Sequence, residues 1–209
     1  MTALVKYPFN YKNENYITEI LSKNKVLAFP TETVYGLGGN AFSKEVADRI
    51  YLIKQRPKNK PFPILITLKW IKKLCLCNDL RIDSLIEAFW PGPLTLILKI
   101  NPDLPNHLKN KSGTLAVRYS SSTIVQRLIE LGECPLIGTS ANRTGSPACI
   151  SAEEVRLHLK DNIDIIIDGY SGSEKSSSTI VHCITEPFRI MRKGPISLKE
   201  LNLICRVKK

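Results

Sequence analysis

No stretch of the chain approaches the ~20 consecutive apolar residues that a membrane span requires. The opening MTALVKYPFNYKNENY holds no apolar segment long enough for the core of a secretory signal, so a soluble, cytoplasmic protein is expected. Cysteine supplies no metal framework. Of Cys75, Cys77, Cys134, Cys149, Cys183 and Cys205 only the first two are close, and Cys-x-Cys is not the spacing of a structural zinc knuckle. His107, His158 and His182 add no ligand spacing, so no protein-bound metal is expected and the thiols read as reduced. There is no Gly-Lys-Ser/Thr phosphate loop and no G-x-G-x-x-G fingerprint. Neither a Ser/His/Asp nor a Cys/His arrangement stands out, nor a pair of carboxylates for acid–base work. Aromatic residues make up only 7%, without a motif of the kind that stacks RNA bases.

What the chain does have is apolar residue and positive charge. Its 209 residues are 43% hydrophobic, enough to bury a core, which excludes disorder. Thirty Lys and Arg against 19 Asp and Glu leave a formal charge of +11, which points to an anionic partner: nucleic acid, a nucleotide or both. Periodicity and capping residues predict helices over 14–22, from Ser43 to about Lys54, over 81–89, and over 122–131 closed by Gly132. Capping boxes Ser151…Glu154 and Ser197…Glu200 open two more, the first running to about Lys160. Strands are expected at 26–29, 63–67, 94–100, 114–119, 135–138, 163–167, 179–184 and 188–191. Buried runs mixed with helices indicate an α/β fold. Several strands follow one another without a helix between, so a mixed sheet flanked by helices is expected rather than a doubly wound one.

Seven segments break these patterns with polar or special-geometry residues. In Phe29-Pro-Thr-Glu-Thr-Val-Tyr-Gly-Leu-Gly-Gly39 a strand runs into three polar side chains and then glycines, which permit positive φ and close approach of a ligand. Lys54-Gln-Arg-Pro-Lys-Asn-Lys60 sets four cations in a turn stiffened by Pro57 and Pro61, more than complementing a helix C-terminus requires, and suited to a polyphosphate. Trp90-Pro-Gly-Pro-Leu-Thr95 reads as core architecture or as site. Thr114-Leu-Ala-Val-Arg118 ends an apolar strand in an Arg, costly to bury unless it meets an anion, a carboxylate best of all. Gly138-Thr-Ser-Ala-Asn142, followed by Arg143-Thr-Gly-Ser-Pro147, offers amide and hydroxyl donors to phosphate. Ser176-Ser-Ser-Thr179 and Met191-Arg-Lys-Gly-Pro195 complete the set. Hydroxyls, amides and cations position anions, and phosphoryl chemistry can be run largely that way. The residues therefore indicate a nucleotide-using transferase or a nucleotide-binding module.

In this order the motifs Phe-Pro-Thr-Glu-Thr-Val-Tyr-Gly-Leu-Gly, Lys-x-Arg-Pro, Trp-Pro-Gly-Pro-Leu-Thr, Ala-Val-Arg and Thr-Ser-Ala-Asn-x-x-Gly resemble the YrdC family, over about 26–195. The resemblance implies one YrdC-like domain over 1–209, a twisted α/β fold with a wide basic cleft. It also implies the synthesis of threonylcarbamoyl-AMP and pyrophosphate from L-threonine, bicarbonate and ATP. The product would pass to a transferase complex that forms threonylcarbamoyladenosine in tRNA. By motif, Thr33, Arg118, Gly138 and Ser178 would hold threonine, and Arg56, Lys60, Thr114, Ser140, Ser146 and Arg192 would hold ATP. Lys54 and Arg56 would be catalytic, stabilising the α-phosphate and leaving group, with Mg2+ carried by the ATP phosphates. Glu32 is a candidate base for the threonine amine, or a loop-stabilising acceptor.

Two departures stand beside the resemblance. Some longer relatives place a His shortly after the Lys-x-Arg-Pro loop, where this chain has Leu65, and they carry a C-terminal domain expected to be lacking here. A non-enzymatic basic RNA-binding module is the competing class, and the charge leaves direct tRNA contact open. The related carbamoyltransferase of hydrogenase maturation fits less well, because the chain is short and has no Cys-x-x-Cys pairs.

Overall fold

The apolar runs and caps resolve, in a computed structural model, into strands and helices; residues 2–159, 162–172 and 176–209 are described. From the N-terminus these are β1 (Ala3–Lys6), α1 (Tyr11–Ser22), β2 (Leu27–Pro30), β3 (Tyr35–Gly38), α2 (Lys44–Lys54), β4 (Ile64–Leu65), α3 (Leu68–Leu74), β5 (Cys75–Leu76), α4 (Leu80–Phe89) and β6 (Leu94–Ile100). There follow β7 (Thr114–Arg118), α5 (Thr123–Gly132), β8 (Leu136–Ile137), β9 (Thr139–Ser140), α6 (Ala152–Leu159), β10 (Ile165–Asp168), β11 (Thr179–His182), β12 (Phe188–Arg192), α7 (Leu198–Ile204) and β13 (Val207–Lys208).

The caps act as their chemistry requires. Ser43, Ser122 and Ser197 each accept the backbone N–H three residues on, and Ser197 with Glu200 forms the full reciprocal box. At α6 the box is altered. Ser151 accepts from Glu154 N at 3.1 Å, but the Glu154 carboxylate takes the Ile150 amide at 2.7 Å, one residue earlier than expected. Lys160, the expected end of that helix, lies outside the described residues. α5 includes Gly132, and the left-handed residue that closes it is Glu133, φ 46°.

The α/β class and the mixed pairing are as expected, but the strands divide between two sheets. The smaller runs β1-β10-β2-β3-β9 and the larger β13-β12-β11-β6-β7-β4-β8, with β5 beside β6. In the smaller sheet β1, β10 and β2 are parallel; β10 and β2 are buried on both faces, while the edge strand β1 turns Leu4 and Lys6 to solvent. Leu27, Phe29, Ile165 and Ile167 pack with α1 and α5, while Ala28 and Ile166 belong to the other core. Burial on both faces explains why these strands read as unbroken apolar runs. The larger sheet is sided. Leu94, Leu96, Leu98 and Ile100 of β6 share a core with Ile82 and Leu85 of α4 and Leu201 of α7. The alternate residues Thr95, Ile97 and Lys99 leave by the opposite face.

Two expectations change here. Residues 135–138 do not make one strand: Leu136–Ile137 joins the large sheet and Thr139–Ser140 the small one, so Gly138 is where the chain crosses between sheets. The glycines after Thr33 do not form a turn of positive φ, although Gly36 borders the cavity described below. Gly36 and Gly38 lie in β3, and positive φ among described glycines occurs at Gly113 and Gly145. Their missing side chains admit the chain itself. A Cβ at Gly36 would stand 2.7 Å from the Phe29 ring, and one at Gly38 1.8 Å from the Ile137 carbonyl oxygen. No described helix is long and apolar enough to cross a membrane.

Gly38→Ala must part β3 from the crossover segment. It is expected to lower stability by about 1–3 kcal/mol or more, read as the shift of a urea unfolding midpoint at unchanged slope.

Candidate active site

Where the open face of the large sheet meets the crossover at Gly138 lies a cavity of about 250 Å³. Alternation along the strands supplies its floor: Thr95 and Ile97 of β6, Ala116 and Arg118 of β7, and Ile180 of β11. Thr31 and Thr33 form one wall, Gly138 and Ser140 another, and Arg56, Ser178 and Arg192 close the rest. Gly138 has to be glycine on steric grounds, because its Cβ would sit 2.3 Å from Leu65 Cγ, and Leu65 also lines the cavity.

Arg118 is only 7% exposed. Its Nη2 makes an ion pair with Glu32 Oε1 at 2.6 Å and donates to Thr33 Oγ1 at 3.2 Å, while Nε donates to the Gly92 carbonyl at 3.3 Å. The Trp90-Pro-Gly-Pro-Leu-Thr segment thus does more than pack. Gly92 holds the guanidinium, Trp90 Nε1 donates to Leu94 O at 2.7 Å, and Thr95 shares a 2.8 Å hydrogen bond with Ser178. Glu32 also accepts the Ser120 hydroxyl and the Ser121 amide. Burial by itself would raise the Glu32 carboxyl, but the Arg118 charge and the Ser120 and Arg118 hydrogen bonds outweigh it and hold the pKa below its ordinary value.

The other two guanidiniums are held in the same manner. Arg56 donates through Nε to Lys60 O at 2.8 Å and through Nη2 to Pro61 O at 3.2 Å, and it stacks over Phe62. Arg192 donates through Nε to Ser178 O at 2.9 Å and through Nη2 to Ser178 Oγ at 3.0 Å. The residue as a whole is exposed, but partial desolvation of its guanidinium, then the charges of Arg118 and Arg56, lower its pKa, though an Arg stays protonated at neutral pH. Among the described residues, Nη1 of Arg56, Arg118 and Arg192 has no acceptor in the protein. Among the described residues, three tethered cations thus keep donor edges free around the cavity, beside the Glu32 carboxylate already engaged by Arg118.

Lys54, expected to be catalytic, is not on the cavity wall. It is 2% exposed, and its ammonium donates to Ser140 O at 2.5 Å, Asn142 O at 2.6 Å and Asn142 Oδ1 at 3.1 Å. Those bonds engage its three protons. Burial, reinforced by the Arg56 charge, pushes its pKa down to about 8. Asn142, whose Oδ1 also accepts from Ser140 Oγ at 2.5 Å, donates to the Ser146 carbonyl. Lys54 and Asn142 together shape the segment that presents Ser140.

Of the expected contacts, Thr33, Arg56, Arg118, Gly138, Ser140, Ser178 and Arg192 meet at the cavity. Lys60 and Ser146 are exposed on flanking loops and contribute carbonyls, to Arg56 and Asn142. Thr114 lies at the far end of β7, buried, its hydroxyl accepting from Asn110 at 2.9 Å. Sequence reasoning marked Thr31 among the polar side chains at the strand end but missed the parts played by Thr95, Ser120 and Asn142; Thr95 and Asn142 stood inside segments already marked as unusual, and none of the three carries a charge to announce itself.

The fold and these donor edges define an anion-binding α/β protein. Residues 19–194 match the Sua5/YciO/YrdC family, whose description reads "Telomere recombination", and the chain belongs to that family. The threonylcarbamoyl-AMP synthase of Pyrococcus abyssi (strain GE5 / Orsay) is 35% identical over 185 residues, 88% of this chain and 54% of that protein. The threonylcarbamoyl-AMP synthase of Klebsiella pneumoniae subsp. pneumoniae is 35% identical over 175 residues, 81% of this chain and 91% of that protein. The solved structure of P. abyssi Sua5 complexed with L-threonine has a TM-score of 0.91 at 32% identity, over 99% of this chain and 62% of that one. The chain therefore spans about half the length of the Pyrococcus relative and most of the Klebsiella one.

The depressed Glu32 pKa has a sign. A carboxylate held low stabilises the fold above its ordinary pKa, and that share is lost as pH falls through the folded value. Unfolding followed from pH 7 to pH 3, in approximate steps of one unit, should show wild type losing more stability than Glu32→Gln, the two curves converging at the acid end.

Proposed function

We propose that this chain is a threonylcarbamoyl-AMP synthase, working in the cytoplasm as a single YrdC-like domain. The observation that carries the reading is the trio of guanidiniums, each pinned at Nε and Nη2, around a cavity with one pre-engaged carboxylate. Arg118 takes the threonine carboxylate on its free Nη1 edge, beside Thr33, with Gly138 and Ser178 completing that pocket. Arg56, Ser140 and Arg192 take the triphosphate of ATP, with Lys60, Ser146 and Thr114 as outlying contacts on the loops and along β7. Guanidinium suits both partners, because its fork matches carboxylate and phosphate oxygens.

The chemistry runs in two steps. The threonine amine forms a bond to the carbon of bicarbonate and water leaves, giving a carbamate. A carbamate oxygen then attacks the α-phosphorus, and the bond to pyrophosphate breaks as the new P–O bond forms. Arg56 and Arg192 stabilise the charge that grows on the α-phosphate and the leaving oxygens. Lys54 supports this from beneath, by holding the Ser140–Asn142 segment in place. Mg2+ enters on the phosphates of ATP, since the Glu32 carboxylate beside the cavity is committed to Arg118. The unstable product passes to a transferase that modifies tRNA.

Purified protein incubated with labelled ATP, Mg2+ and bicarbonate should release pyrophosphate and form the adenylate only when L-threonine is present, with serine a poor replacement. Arg56→Ala should lower that turnover by roughly 100-fold with the circular dichroism spectrum unchanged. A folded protein that retains RNA with a steep salt dependence and shows no threonine requirement would replace this reading with that of an RNA-binding module.

A further inference from the structure

The hydroxyl protons around Arg118 can be assigned by elimination. Thr31 Oγ1 donates to the Val34 carbonyl at 2.7 Å and accepts the Thr33 amide at 3.1 Å. Its hydroxyl has one proton, which that carbonyl takes. In the 2.9 Å contact between the Thr31 and Thr33 hydroxyls, Thr33 is therefore the donor. Both groups are buried, 5% and 1% exposed, so water does not compete for this pattern. Thr33 Oγ1 accordingly turns lone pairs toward the cavity. One accepts from Arg118 Nη2 at 3.2 Å, and the other is left for a ligand.

Arg118 is fixed in the complementary sense. Gly92 O takes Nε, Thr33 and Glu32 take Nη2, and Nη1 is left as a pure donor edge. Glu32 cannot swing away to act as a base without releasing Arg118, because Ser120 and the Ser121 amide hold the same carboxylate. An acceptor and a donor edge thus stand side by side, matching the amine and carboxylate of an α-amino acid.

We propose that Glu32 and Thr31 are positioning residues that set this polarity: Glu32 by anchoring Arg118 as the donor for carboxylate, and Thr31 by forcing Thr33 to be an acceptor for the amine. This rests on the threonine-site reading above. It gives Glu32 a role other than proton abstraction. It also gives Thr31, buried in the cavity wall beside Thr33, a share in substrate selection.

Thr31→Val keeps the shape of the side chain and removes the hydroxyl, so Thr33 is free to turn its proton into the cavity. Thr31→Ser keeps the wiring. L-threonine binding by calorimetry should weaken about tenfold or more in Thr31→Val and stay within about twofold in Thr31→Ser, a lost hydrogen bond corresponding to roughly a tenfold change. The KM for ATP should not move, and kcat at saturating threonine should stay within about threefold, since the loss is one of ground-state binding. Glu32→Gln should weaken threonine by about 10–100-fold, because Arg118 loses its charged anchor.

3-Hydroxybutyrate, which lacks the amine, supplies a readout that a merely structural role would not move. Wild type should reject it relative to threonine, and Thr31→Val should narrow that preference. If wild type binds threonine and Thr31→Val and Glu32→Gln bind it equally well, the positioning assignment fails and the synthase reading survives. If wild type binds no threonine, both fail. If Thr31→Val does not fold, Glu32→Gln and the wild-type preference decide, and equal binding of threonine and 3-hydroxybutyrate by wild type overturns the assignment.

Discussion

A guanidinium almost wholly withdrawn from water at the end of β7 is the constraint on which this site turns. Arg118 would be costly to bury alone, since breaking a buried pair by removing one partner typically costs 3–5 kcal/mol. The surrounding chain is arranged to prevent that. Glu32 comes from the turn after β2, Gly92 from the proline-flanked turn before β6, and Thr33 from the approach to β3. Two segments far from Arg118 in sequence, 32–33 and the turn at Gly92, converge on this one side chain, and the pocket exists because they do. The same convergence leaves one edge of Arg118 without a partner among the described residues, which is the property a binding site needs.

The cations of the Lys54–Lys60 segment divide their labour according to burial. Lys54, with all its protons engaged by oxygens of 140–142, orders a loop. Arg56, two residues further on and past the end of α2, is tethered at two nitrogens and keeps the third for a ligand. Both carry positive charge into the same neighbourhood, and each lowers the free energy of an anion there, but one does so by contact and the other by shaping the contacts of Ser140. Desolvation first and the neighbouring cations second hold Arg192 below its ordinary pKa, while the Arg118 charge outweighs burial and holds Glu32 low.

Much of the fold was legible from local chemistry. Leu94–Ile100 was expected in full, and the serine caps of α2, α5 and α7 were readable because each sits just before an amphipathic run. What escaped were short strands and the seven-residue helix α3. β3 is hidden by its glycines, which read as turn residues, yet serve as the thin places where Phe29 and the Ile137 carbonyl come close. β9 is two polar residues, and β13 is two residues at the far end of the chain, so neither is long enough to show a period. The partition into two sheets was invisible for the same reason: it depends on a single glycine, Gly138, at which one apolar stretch changes partners.

The sequence by itself determined the class of the fold, the family and the segments that bear the chemistry, because spacing, capping and motif order are local properties that survive without coordinates. Only the tertiary structure decided which cations face a ligand and which are spent on the protein, since that depends on the oxygens brought alongside from elsewhere in the chain. Lys54 and Arg56 are two residues apart and look alike in sequence; three acceptors from 140–142 separate their roles. Thr31 and Thr33 are likewise indistinguishable until the Val34 carbonyl claims one proton and so fixes the direction of the other.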